Sequence, residues 1–186
     1  ILAIILFDFI LERFLEYLNA TRWNTTLPAE LEGIYDPDRY TRSQQYLKIK
    51  QKFSWIISSL SFVVMITVIL SGGFVWLDSI LRQITINPIL LALLFFGIIG
   101  LAASIATIPF ELYSTFVIEE KFGFNKTTWK TFFLDKLKGW LISVIIGGGL
   151  LALIIWIYSS TGSWFWLIVW GVITLFMIFM NMFYSN

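Results

Sequence analysis

The chain has 186 residues, 58% of them hydrophobic and 13% charged, with a mean hydropathy of +0.81. Soluble domains run at roughly 45–50% apolar and about 25% charged, so this composition lacks the polar surface to cover a soluble globule and reads as an all-α, polytopic membrane protein. The net charge of +1, from 13 basic and 12 acidic residues, excludes the concentrated positive surface that nucleic acid requires, and the absence of Cys and His removes thiol nucleophiles, imidazole bases and thiolate or imidazole metal sites. The twelve carboxylates remain as possible hard-metal ligands or acid/base groups, and no catalytic residue, cofactor or metal is assigned in this chain.

The opening segment, ILAIILFDFILERFLEYLNA, is apolar but interrupted by Asp8, Glu12, Arg13 and Glu16. It lacks the basic leader and small-residue cleavage site of a signal peptide. The expectation is a membrane span, with an interfacial amphipathic helix as the alternative. Asp8, Glu12 and Glu16 recur every four residues, which puts them on one helical face as a polar seam at a packing contact.

A polar stretch follows. Pro28 is placed to open a short helix with Glu30 and Glu32 in its first turns, and Tyr35 to Asp38 reads as a turn. From Pro37 onward Tyr40, Gln44, Leu47 and Gln51 recur at helical spacing and run directly into the next span. That span is drawn from the 25 uncharged residues between Lys52 and Asp78, and the next from the 28 between Arg82 and Glu111, with Pro88 at its start.

The second polar stretch, from Glu111 to Lys138, holds Glu111, Glu119 and Glu120. Glu111 and Glu119 lie eight residues apart and are expected on one helical face. Gly123 is expected to stop a helix and Asn125 to cap the next one, whose residues Trp129, Phe132, Phe133, Leu137 and Trp140 form an apolar stripe typical of an interfacial helix. After Lys138, 48 residues carry no charge, too many for one crossing, and residues 159–163 supply a turn between two spans. The total is about five transmembrane helices with two cytosolic helical loops. Gly97, Gly100 and Ser104, and Gly148 with Ala152, are spaced for close helix packing, while Gly147 to Gly149 mark an alternative kink.

Eleven Lys and Arg residues (Arg22, Arg39, Arg42, Lys48, Lys50, Lys52, Lys121, Lys126, Lys130, Lys136, Lys138) fall in the two long loops, against Arg82 alone on the other side. The positive-inside bias places both loops and the C-terminal end in the cytosol and the N-terminal end outside. The N-x-S/T matches at Asn19, Asn24 and Asn125 then lie on the cytosolic side and read as chance.

The run PFELYSTFVIEEKFGFNKTTWKTFFLDKLKG, Pro109 to Gly139, resembles the N-terminal membrane portion of the CAAX prenyl protease family, the Ste24-type zinc metallopeptidases. The earlier LPAELEGIYDPDRYTRSQQYLKIKQKF is similar to the loop after that family's first span, and with the five-span spacing the likeness covers nearly the whole chain. The resemblance implies that residues 1–186 are an N-terminal transmembrane domain forming part of a chamber wall. The zinc domain, with its H-E-x-x-H motif, is absent from this chain. In the complete enzyme, the metalloendopeptidase would cleave the C-terminus of prenylated CAAX proteins.

The partners so implied are the bilayer, a catalytic zinc domain or partner membrane subunit, and a prenylated peptide. Glu119, Lys121, Phe122, Gly123, Phe124 and Asn125 are the implied docking surface; local helix stopping and capping is the plainer role for the same segment. A standalone membrane scaffold is the alternative function and a small transporter a third, the latter disfavoured because the last two spans carry no charge.

Overall fold

A computed structural model describes residues 2–21, 27, 33 and 36–184. Every regular element among these residues is helical, as expected where backbone polar groups have no water to turn to. The expectations at Arg22, Asn24, Pro28, Glu30, Glu32 and Tyr35 lie outside the described residues.

The chain divides into two compact units, Ile1–Phe74 with Ile105–Thr127, and Val75–Ser104 with Thr128–Asn186.

In the first unit, α1 (Leu2–Thr21) packs against α2 (Pro37–Leu70). Phe9 stacks on Phe62 with ring centroids 4.1 Å apart, and the Gln51 side chain donates to the Glu16 carbonyl at 3.2 Å. The pairs run in opposite chain directions, so α1 lies antiparallel along the apolar part of α2, which fits a span better than an interfacial helix. The α2 N-terminus is built by Asp36, whose carboxylate accepts from the backbone N–H groups of Asp38 and Arg39 (2.9 and 3.4 Å), with Pro37 at the first helical position.

The uncharged stretch after Lys52 is not one helix. The α2 helix ends at Leu70, the chain turns at Ser71 and Gly72 (φ +71°), and a separate α3 (Gly73–Ile84) begins. Gly72 adopts the left-handed conformation that releases the helix, so residues 71–77 do not belong to the span. In the second unit, α3 carries an Arg82–Asp78 ion pair of 2.7 Å one helical turn apart.

The α4 helix (Pro88–Tyr113) starts where Asn87 accepts from the N–H groups of Ile89 and Leu90, at 3.0 and 3.1 Å. Pro109 lies inside it, and beyond Tyr113 the helix widens into a π segment (Ser114–Glu119) before ending in the short α5 (Glu120–Phe122). Gly123 stops it at φ +73°, as expected. Asn125 is not the cap of the next helix: its side chain accepts from Thr127 N–H and donates to Glu120. Thr128 caps α6 (Trp129–Ile142) by accepting from Thr131 N–H. The Asn125 oxygen closes a local turn two residues ahead, so the helix entry falls to the next side chain with a free acceptor.

The α6 helix continues through a second π segment (Ser143–Gly147) into α7 (Gly148–Thr161). The stripe expected to lie at the interface is thus the first part of a long helix that enters the apolar run. At Gly162 a 3-10 turn (Gly162–Trp164) leads to α8 (Phe165–Tyr184), where Tyr158 meets Phe165 edge-on at 5.1 Å. The apolar helical stretch from Trp129 to Met182 is 54 residues long, well over twice the roughly 20 residues that one crossing needs, and the turn divides it in two. Pro37–Leu70 and Pro88–Phe122 are likewise long and apolar enough to cross a membrane.

Among the described residues the only buried apolar side chains are Ile118 and Phe122 in the first unit and Leu81 and Ile157 in the second. In lipid the hydrophobic effect does not drive side chains inward, so membrane-facing Leu, Ile and Phe stay on the outside.

Replacing Gly123 by Ala is expected to destabilise the chain by about 1 kcal/mol, the cost of a β-carbon at positive φ. That β-carbon would meet the Arg42 guanidinium at 3.8 Å, an ordinary contact, so the loss is one of backbone conformation. Thermal unfolding in detergent measures it, with Gly139→Ala, inside α6, as the control expected not to fall.

Candidate functional site

The residues expected to dock a partner occupy the end of the helix that starts as α4, and the structure first ties several of them to α2. Glu119 accepts an ion-paired hydrogen bond from Lys50 at 3.0 Å, and Lys50 also donates to the Tyr46 hydroxyl at 2.7 Å, one turn earlier on α2. Tyr46 itself donates to Glu119 at 3.4 Å. Phe122, 7% exposed, and Phe124, 48% exposed, both meet the Tyr46 ring edge-on, at 5.6 and 4.9 Å.

Lys121 lies over the Phe122 ring at 5.9 Å, and Asn125 donates to Glu120 at 2.8 Å. The six residues therefore divide. Glu119, Phe122 and Phe124 hold α2, Gly123 and Asn125 shape the turn, and Lys121 and part of the Phe124 ring keep exposed surface.

Lys50 lies three residues before the uncharged run that opens at Phe53. Its ammonium is held above the ordinary lysine range, first by the hydrogen bond to Tyr46 and then by Glu119, against a smaller desolvation. Sequence reading counted Lys50 only as one more basic residue. Its partner lies 69 positions away, and no local spacing signals such a pairing.

Glu111 and Glu119 do face α2 together. An ideal α-helix offsets residues eight apart by about 80°, and the wider π turn between them brings the two carboxylates closer to one line. Glu111, accepting from Thr107 at 3.0 Å, lines a cavity of about 660 Å³ with Lys50, Asp8 and Glu12. Ser54, Ser58 and Ser61 of α2 complete its polar wall, and Phe9, Phe53, Phe62 and Phe110 its apolar one. The α1 seam is thus a cavity wall at Asp8 and Glu12, whereas Glu16 pairs with Arg13 at 2.8 Å.

In the second unit the small residues do something other than expected. Gly97, Gly100 and Ser104 of α4 and Gly147, Gly148, Gly149 and Ala152 around α7 line a cavity of about 690 Å³. A β-carbon added at Gly97, Gly100, Gly147 or Gly149 would meet nothing within 4 Å; only Gly148 approaches a neighbour, Leu93 at 3.7 Å. The glycines leave space instead of bringing backbones together. At one end Trp140 bridges the helices through its indole N–H to Ser104 at 2.8 Å.

Among the described residues this chain forms no zinc site. It has no His or Cys, and among the described residues no three Asp or Glu gather closely enough to hold a metal ion.

A family profile described as the CAAX prenyl protease N-terminal region, with five membrane helices, matches residues 16–186. The chain belongs to this family. It is 33% identical over 153 residues to a CAAX prenyl protease 1 homolog of Oryza sativa, a match taking in 78% of this chain and 36% of the rice protein. It is 31% identical over 180 residues to the Mus musculus homolog, covering 90% of this chain and 38% of the mouse protein.

The crystal structure of S. mikatae Ste24p superposes with a TM-score of 0.83 at 25% identity, over 99% of this chain and 45% of that one. The chain thus spans less than half the length of these relatives and corresponds to their N-terminal membrane portion, with α1, α2, α4, the α6–α7 rod and α8 as its long helices.

The Lys50–Glu119 pair is half-exposed on the lysine side (46%) and 25% exposed on the glutamate side, so its coupling is expected to be modest, below about 1 kcal/mol. A double-mutant cycle of Lys50→Met and Glu119→Gln, read by thermal unfolding in detergent, should give that value and shrink in high salt. A raised lysine value means the pair stabilises the fold at neutral pH and loses its contribution only as the pH climbs through that value, so the coupling should be flat from pH 6 to about 8 and vanish in strong alkali.

Proposed function

We propose that this chain is the non-catalytic membrane-chamber portion of a zinc metalloendopeptidase that processes the C-terminus of prenylated CAAX proteins. The observation that carries the reading is the family match over residues 16–186, and the superposition on Ste24p over 99% of the chain supports it. Residues 1–186 act as the N-terminal transmembrane domain, and zinc belongs to a catalytic domain outside them. The chain's contribution is to hold a membrane-anchored substrate beside that domain, not to supply an acid, base or ligand.

The Glu119–Asn125 segment is the proposed docking surface for the zinc domain. The division of labour in the turn supports it: Glu119, Phe122 and one side of Phe124 fasten the segment to α2, while Lys121 and the rest of the Phe124 ring stay exposed. Charges orient such contacts and aromatic rings supply buried area. The basic-residue bias supports a cytosolic position for this segment and for the C-terminal end, with the N-terminal end outside.

Assay of a farnesylated CAAX peptide tests the reading. The complete gene product should release the C-terminal tripeptide with stoichiometric zinc, and residues 1–186 alone should do neither. A gene product that binds no zinc and cleaves nothing would defeat the proposal. Phe124→Ala should weaken association between the membrane portion and the zinc domain at least several-fold without impairing insertion, and unchanged association would leave this segment a structural turn only.

Topology is tested separately. Single cysteines at Ser43, Thr127 and Thr161, probed in intact cells with an impermeant thiol reagent, should label from outside only at Thr161. Outside labelling at both other positions reverses the orientation.

A further inference from the structure

We propose that the basic cavity at the start of α2 binds a phosphate-bearing anion, and that this anion is the headgroup of an acidic phospholipid. The cavity, about 570 Å³, is lined by Arg42, Gln45, Lys48 and Ile49 of α2 and by Lys121 and Phe122 of α5. On α2 these residues recur three to four apart and so share one face. The neighbouring face, with Tyr46 and Lys50, is the one occupied by Glu119.

Three cations from two elements therefore line one cavity, and among the described residues no carboxylate lines it. The acidic residues next to Lys121 in sequence are engaged elsewhere, Glu119 with Lys50 and Glu120 with Asn125. Among the described residues Arg42, Lys48 and Lys121 have no acidic partner. Like charges held together by a rigid helix repel one another until an anion neutralises them.

The geometry selects the kind of anion. Arg42 supplies a planar fork suited to two phosphate oxygens, and the two lysines add point charges. Arg42 reaches the Gly123 turn, its guanidinium 3.8 Å from where a β-carbon would stand. A lone phosphate is far smaller than the cavity. The Gln45 amide and the apolar wall of Ile49 and buried Phe122 suit a polyhydroxylated ring carrying the phosphate.

Position supplies the source. Lys48 precedes Phe53, where the apolar run opens, by five residues, and Arg42 by eleven, which places them about 7 and 16 Å along the helix axis from that point. The cavity thus begins at headgroup depth and extends outward. Basic residues at such a position attract anionic lipids, each contributing about fivefold in affinity.

Short-chain dioctanoyl phosphatidylinositol 4-phosphate is the probe, titrated against the purified protein in phosphatidylcholine nanodiscs and read by native mass spectrometry. Arg42→Gln, Lys48→Gln and Lys121→Gln should each weaken retention about fivefold, and the triple variant about a hundredfold, while Arg82→Gln, on α3, leaves it unchanged. Millimolar inorganic phosphate should not compete.

Competition by inorganic phosphate at the probe's own concentration would overturn the headgroup assignment in favour of a soluble phosphate. Undiminished retention by the triple variant would overturn the site itself. If the triple variant does not fold, the exposed single variants Arg42→Gln and Lys121→Gln decide, and no loss in either overturns the proposal.

Discussion

In hydrocarbon a backbone N–H has no partner except a carbonyl of its own protein, and this constraint governs the chain. It explains why the described elements are all helical, and why the departure from α geometry inside the charge-free run after Lys138, at Ser143–Gly147, is a π segment rather than a loop. A π turn changes the direction of side chains while each N–H still finds a carbonyl one residue further back. The π segment at Ser143–Gly147 lies where the glycines open the cavity beside α7, and the one in the polar stretch, at Ser114–Glu119, leads Glu119 to Lys50. A soluble protein can redirect a chain with an irregular loop. At Ser143–Gly147 this chain does so without leaving the helix.

The same constraint decides what was legible in the sequence. Charge-free runs marked the long helices, and Pro88 marked the start of α4, because hydropathy and the missing proline N–H are properties of single residues. The end of α2 was hidden, since Ser71, Gly72 and Gly73 sit inside an uncharged run and interrupt the helix without interrupting hydropathy. Positive φ at Gly72 ends it, and the Gly-Gly pair was the available signal. The small residues of α4 and α7 were misread for a related reason. Lack of a side chain is compatible with contact or with a void, and only the opposite wall decides between them. Asn125 and Thr128 are both good capping residues; which one caps depended on Asn125 turning toward Thr127 and Glu120.

The candidate site shows the limit more sharply. Its outward residues lay in one continuous stretch of family-like sequence, so Glu119 to Asn125 could be singled out. Their counterparts Tyr46 and Lys50 could not, since the periodic pattern on α2 picked out Tyr40, Gln44, Leu47 and Gln51. Of that set, Gln51 reaches α1 through the Glu16 carbonyl, and Tyr46, outside it, meets the two phenylalanines. One helix here serves more than one neighbour, and a single hydrophobic period describes only one of its faces.

The unbroken length of α2 has a mechanical consequence. Its 34 residues make a rod of about 51 Å, of which the part after Lys52 matches the hydrocarbon thickness and the part before it stands clear by about 24 Å. A helix in a thinner bilayer tilts to keep its apolar length covered. With the pivot near Phe53, a tilt of about ten degrees sweeps Asp36 sideways by about 4 Å and Arg42 by about 3 Å, while Lys50 moves by less than about 1 Å. By geometry, displacement under such a tilt grows along the projecting arm with distance from Phe53, and Lys50, close to that point, moves least.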